Sequence, residues 1–227
     1  MDRELLLLTL KFTKEAPFVD VNELIQTTSN SRVKNFFKEI EGFGIILQPT
    51  IDGGYTITSE QRARLVILGA LNGFDFEKII KELTWQEFEL LTTFVGDEFG
   101  YAASTGLNFS TEERKYQIDV ILRNKPYVLL IDCKHFGGTG KQSVLRNAAT
   151  EQIQRVEAVV AHLEKLQSKL RIRNWKKIVF IPLVITWLDD EVFFYEQVPV
   201  VPFSKLRSFF QNFYLYIEDI FQIVINI

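Results

Sequence analysis

Residues 116–134 read YQIDVILRNKPYVLLIDCK, and this stretch decides how the rest of the chain is interpreted. Two aliphatic, β-branched runs flank Asn124-Lys125-Pro126, a turn signal, so the pattern predicts a β-hairpin. In a strand, residues i and i+2 share a face. Asp132 and Lys134 therefore emerge together, while Ile131 and Cys133 point the other way. A turn centred on residues 124–126 sets Asp119 roughly opposite residues 130–132. The hairpin thus predicts two converging carboxylates and an ammonium. Ending the apolar run YVLLI with Asp-x-Lys is costly unless the charges pair or hold a metal.

Working outward, TWQEFELLTTFVGDEFG (84–100) predicts an amphipathic helix capped by Thr84, with Phe88, Leu91 and Val95 on its apolar stripe. After the hairpin comes HFGGTGK (135–141), a glycine-rich loop that lacks the Walker spacing and reads as a substrate loop. A long helix is expected over roughly 143–170. KKIVFIPLVITWL (176–188) reads as a buried strand and VFFYEQVPVV (192–201) as another. The tail starts as a helix after Pro202, and its apolar end is expected to be buried or to form a subunit interface. Helix, hairpin, long helix and strand together predict an α/β domain over residues 84–227.

Residues 1–60 read as three helices and a hairpin. Leu5, Leu6, Leu8 and Phe12 give the first helix its apolar side. Asp20 caps the second, with Glu23 at capping-box spacing. Val33, Phe36, Phe37 and Ile40 keep helical spacing in the third. IILQPT and YTITSE are joined through Ile51-Asp52-Gly53-Gly54, strong turn chemistry. In pattern this order resembles the winged helix-turn-helix superfamily. The resemblance implies that the third helix enters the major groove, with Arg32, Lys34 and Lys38 toward DNA. Glu39 and Glu41 share that helix and the module is acidic, so a protein-contact or dimerisation module is the competing reading. Residues 61–83 read as a helical connector broken at Asn72-Gly73.

The 227 residues carry a net charge of −3 and 47 % hydrophobic residues, enough for a packed core and too acidic for a globally basic nucleic-acid binder. Lys134–Lys177 nevertheless holds ten Lys or Arg against three Glu, whereas the residues after it hold two basic against six acidic. A phosphate backbone would be drawn to that basic stretch, where Lys141, Gln152 and Arg155 are candidate DNA contacts. One cysteine and two histidines exclude an internal disulfide and argue against a zinc enzyme. The N-terminal apolar run is too short for a membrane span and makes a poor signal peptide. A soluble cytoplasmic protein with no membrane partner is expected.

Carboxylates without surrounding His or Cys suit Mg²⁺, with Mn²⁺ as its substitute. Asp119…Asp132-Cys133-Lys134 resembles the PD-(D/E)xK nuclease superfamily, the restriction-endonuclease-like fold. Upstream, Glu87-Phe88-Glu89 followed by Gly100-Tyr101 resembles Mrr-type restriction endonucleases and archaeal Holliday-junction resolvases. This resemblance spans roughly residues 84–186. It implies a mixed sheet flanked by helices and a metal held by Glu89, Asp119, Asp132 and the Cys133 carbonyl. It also implies that Lys134 positions the attacking water. Glu87 and Glu98 are the fallbacks for Glu89. Ile118 stands where proline is common, and Gln152 or Gln154 is the candidate for the glutamine some relatives carry on the next helix.

The expected activity is Mg²⁺-dependent DNA hydrolysis by a nuclease domain behind a winged-helix module. The apolar tail is a candidate twofold interface for a homodimer. Two competitors remain: a catalytically silent DNA-binding regulator or scaffold, and a ribonuclease or ligand-gated effector nuclease.

Overall fold

In the computed structural model, which describes residues 1–134, 142–187 and 193–227, the first helices begin at side-chain caps. Asp2 accepts from the Leu5 amide at the start of α1 (Arg3–Phe12). A short strand, β1 (Phe18–Asp20), runs directly into α2 (Val21–Thr27). Asp20 caps α2 as expected, but it accepts from Asn22 at 2.7 Å rather than from Glu23. Ser29 caps α3 (Asn30–Gly42), which buries Val33, Phe36, Phe37 and Ile40, the positions its spacing predicts. Next come β2 (Gln48–Pro49) and β3 (Gly54–Thr56).

The antiparallel sheet order is β1-β3-β2, so the hairpin gains a third strand that the sequence pattern does not predict. Three residues are too few to show alternation. Their trace is Gly54, where a Cβ would lie 2.3 Å from the Val19 carbonyl oxygen; only glycine admits the strand so close. A full capping box, Thr58 with Gln61, starts α4 (Ser59–Leu71), and Asp75 caps α5 (Phe76–Ile80).

The chain divides into two units, Met1–Leu91 and Thr92–Ile227. The division falls within α6 (Trp85–Glu98). Thr84 and Glu87 cap this helix reciprocally: the Glu87 amide donates to Thr84 Oγ1, and the Thr84 amide to Glu87 Oε2. The other Glu87 oxygen accepts from Arg62 Nε at 2.7 Å, and both side chains are 2 % exposed. Arg62 also donates to Thr13 Oγ1 and to the Leu10 and Glu82 carbonyls.

The second unit carries the larger sheet. Its first strands are β4 (Ala102–Ser110), β5 (Lys115–Asn124) and β6 (Tyr127–Lys134). Helices α7 (Gln142–Ala161) and α8 (Leu163–Leu166) lead to β7 (Lys177–Thr186). Then follow β8 (Phe193–Tyr195), β9 (Val198–Pro202), α9 (Leu206–Gln211), α10 (Phe213–Tyr216) and β10 (Ile223–Asn226). Among the described residues the sheet has seven strands, ordered β4-β5-β6-β7-β9-β8, with β10 also paired to β7. β6, β7 and β9 run parallel and the remaining pairings are antiparallel. Val156 and Val159 of α7 pack on Val128, Leu130 and Phe180. The whole is a mixed α/β fold with a multi-strand, helix-flanked sheet after an N-terminal helical region.

Several expectations change. β4 is an addition to the expected elements; as an edge strand it alternates inward only briefly, at Leu107 and Phe109. Within the strand expected over 192–201, the described residues 193–201 form a hairpin. Glu196 and Gln197 both take positive φ, 51° and 64°, so the turn carries no glycine or asparagine to announce it. The long helix stops at Ala161, where the His162 ring bonds the Ala158 carbonyl at 3.0 Å. The apolar tail ends as β10, paired with residues 177–180 of β7.

Candidate active site

The β5–β6 ladder ends at Val120–Ile131, and one further step of that register sets Asp119 opposite Asp132. Asp119 takes over where the backbone pairing stops. Its Oδ2 accepts from the Cys133 amide at 2.8 Å, and its Oδ1 from Gln117 Nε2 at 3.2 Å. On β6 the even-numbered Val128 and Leu130 pack under α7, so Asp132 continues that face. Cys133 turns the other way, where its sulfur lies 3.9 Å from Thr92 Oγ1.

Asp119 and Asp132 are 6 % and 5 % exposed. Two cations hold Asp132. Arg155 Nη1 donates to Oδ1 at 2.9 Å, and Lys134 Nζ lies 2.8 Å from Oδ2. That lysine contact has the distance of an ion pair without the direction of a hydrogen bond, so Oδ2 keeps unused acceptor capacity. Burial pushes the Asp119 carboxyl above its ordinary value. The Cys133 amide bond opposes the rise, the charge of Asp132 adds to it, and Arg155 and Lys134 oppose it.

Gln152 is wholly buried. It donates to the Leu130 carbonyl at 2.7 Å and accepts from Arg155 Nη1 at 3.0 Å. The expectation that Gln152 touches DNA is therefore corrected: it anchors β6 and Arg155. Gln154, the other glutamine considered, accepts from Arg114 at the surface. Arg155, expected at DNA, is the partner of Asp132. Only its place on α7, 23 residues beyond that aspartate, reveals this. Arg123, on the same strand as Asp119, donates to the Ala102 and Leu170 carbonyls.

Glu89 is buried, 8 % exposed, on the part of α6 that belongs to the first unit. Of its fallbacks, Glu87 is bound to Arg62, and Glu98 is half-exposed and paired with Arg207 at 3.2 Å. Among the described residues no group of three or more His, Cys, Asp or Glu stands where it could hold a metal ion. What converges is a carboxylate pair. Its hard oxygens, and the spare capacity of Asp132 Oδ2, fit a small dication in chemistry. His135 and the DNA candidate Lys141 lie outside the described residues.

In the first unit, Arg32 is claimed by Asp2, at 2.6 Å, and by Glu4. Its side chain stays 49 % exposed at the surface. Lys34 and Lys38 line a groove of about 560 Å³ with Phe37 and Tyr55. No helix among the described residues is long and apolar enough to cross a membrane.

No family model matches the chain. An uncharacterized protein of Archaeoglobus fulgidus is 25 % identical over 138 residues, covering 60 % of this chain and 97 % of that protein. The crystal structure of AF1548, a protein of unknown function, is similar at 15 % identity and a TM-score of 0.27 over 42 % of this chain. That of VC1899 from Vibrio cholerae is similar at 11 % identity and a TM-score of 0.39 over 94 % of it. The chain spans about half the length of these two structures or less, 43 % and 51 %.

Proposed function

We propose that the Thr92–Ile227 unit is a Mg²⁺-dependent DNA endonuclease of the restriction-endonuclease-like, PD-(D/E)xK kind. The observation that carries this reading is the buried pair Asp119 and Asp132 on adjacent strands, with the Lys134 ammonium 2.8 Å from the second. Two carboxylates kept side by side in a nearly dry site repel each other, a cost that a bound cation removes.

Asp119, Asp132 and the Cys133 carbonyl would hold the ion, with Mn²⁺ able to replace Mg²⁺. When bound, it supplies charge to polarise the phosphodiester and stabilise the leaving oxygen. Lys134 offers its ammonium to the attacking water. Asp119 keeps its orientation through the Cys133 amide. In this reading the first unit is a winged-helix module that positions DNA through Arg32, Lys34 and Lys38. A homodimer through the tail, where Tyr214 and Leu215 stay exposed, would bring two centres to the two strands.

The test is plasmid and single-stranded DNA cleavage under Mg²⁺ and Mn²⁺ titration. Wild type should nick DNA only with metal. Asp132→Ala should lose cleavage at least a hundredfold, roughly the 2.7 kcal/mol or more of one essential electrostatic group, and keep DNA affinity. Glu89→Gln, assayed alongside, tests the third carboxylate expected from the resemblance.

A second reading is a catalytically silent DNA-binding scaffold. It is favoured by Asp132 being already neutralised by Lys134 and Arg155. Absence of metal-dependent cleavage by wild type on supercoiled, branched and RNA substrates would select it.

A further inference from the structure

The Asp132 carboxylate holds two cations, and they are held in different ways. Lys134 sits on the same strand and reaches Oδ2 alone. Arg155 comes from α7 and is shared. Its Nη1 lies 2.9 Å from Asp132 Oδ1 and 3.0 Å from Gln152 Oε1, while its Nη2 lies 3.4 Å from Glu151 Oε2. Gln152 is itself fixed by its bond to the Leu130 carbonyl. Glu151 is a mostly exposed carboxylate one helical turn back from Arg155, and the arginine side chain keeps 18 % exposure.

We infer that Arg155 is a latch on the metal site: without a cation its guanidinium fills Asp132, and an entering dication displaces it toward Glu151, where it can receive a substrate phosphate. This deepens the metal-site reading above and rests on it.

Charge supports the latch. Asp119, Asp132, Lys134 and Arg155 sum formally to zero, so the resting site is neutral. A dication raises the sum to +2, and with Arg155 still on the ion it would be repelled at close range. Moving the guanidinium outward relieves that repulsion, and Glu151, which already meets Nη2, remains as its acceptor there. The cation thus leaves the carboxylate it neutralises and reaches the rim, where two oxygens of a phosphate can accept its parallel N–H bonds. Arg62 shows the opposite design. It is 2 % exposed and its bonds to Glu87, Thr13 and Leu10 are all buried, so it is held in place.

The experiment is Mn²⁺ binding to the full chain, without DNA, followed by loss of the free-ion paramagnetic resonance signal. Wild type, Arg155→Met, Arg155→Lys and Asp132→Asn are compared, with circular dichroism to establish folding. Arg155→Met should bind Mn²⁺ about tenfold tighter than wild type, the equivalent of about 1.4 kcal/mol. Arg155→Lys, which keeps the charge, should stay near wild type, and Asp132→Asn should lose saturable binding. Binding by Arg155→Met where wild type shows none also supports the latch. If Asp132→Asn loses binding but Arg155→Met binds no tighter than wild type, the latch is overturned and the metal site stands. If neither wild type nor Arg155→Met binds Mn²⁺, the metal site falls and the latch with it. Should Arg155→Met fail to fold, Arg155→Gln carries the same comparison.

Discussion

Replacing Arg62 by alanine should cost the first unit about 3–5 kcal/mol, the range for removing one partner of a buried ion pair. The structure places this case at the severe end. Arg62 and Glu87 are each 2 % exposed and 2.7 Å apart, so Glu87 would be left a buried carboxylate without its cation. The Leu10 and Glu82 carbonyls would lose a charged donor as well, at about 1–3 kcal/mol for an orphaned buried group. These losses overlap, because the guanidinium-sized hole admits some water, so they do not add in full.

A shift of about 4–8 °C per kcal/mol for a unit of this size implies a midpoint lower by roughly 12–40 °C. The assay is urea and thermal unfolding of the full chain by far-ultraviolet circular dichroism, read in the transition that Arg62→Ala moves. The companion variant is Arg62→Met with Glu87→Gln. It removes both charges and leaves a side-chain carbonyl at position 87 to accept from the Thr84 amide, so most of the stability should return. A loss under about 1 kcal/mol for Arg62→Ala would refute the reasoning, as would a double variant no better than the single one.

Gly96→Ala would bring a Cβ to 2.5 Å and 2.8 Å from the Leu122 methyls, and Leu122 is fully buried. A net loss of about 1–2 kcal/mol is expected after the helix-propensity gain; an unchanged urea midpoint would contradict it. Burial raises Asp119 above its ordinary 3.8. Its contribution is therefore most favourable below the unfolded value and is lost as pH rises through the higher folded one. Without divalent ions, Asp119→Asn should melt above wild type at neutral pH, with the gap closing toward acid pH; a pH-independent gap would show the sign to be wrong. Gln152→Ala strips the Leu130 carbonyl of its donor, and a loss of about 1–3 kcal/mol should appear in denaturant unfolding.

How much of this was legible beforehand follows from the range of each interaction. The hairpin over residues 115–134 could be read because turn chemistry and a period of two are local. Parity alone then put Asp132 and Lys134 on one face and Cys133 on the other, and counting back through the turn brought Asp119 roughly opposite residues 130–132, which the register narrows to Asp132. The caps at Asp20 and Thr84 were readable for the same reason, since a cap lies within a turn of its helix. Edge strand β4 and the glycine-free turn at Glu196-Gln197 escaped because their local signals are weak.

The partners of the charged groups were beyond any local pattern. Arg155 reaches Asp132 only because α7 lies across the sheet, and Arg123 turns to Ala102 and Leu170 rather than to Asp119. Glu87 stood as a fallback for Glu89 until Arg62, 25 residues earlier, claimed it. The sequence by itself determined where the chain turns and which side chains share a face, because backbone geometry repeats every few residues. Only the tertiary structure decided which opposite charge each buried acid meets, because burial makes pairing obligatory and packing chooses the partner from anywhere along the chain.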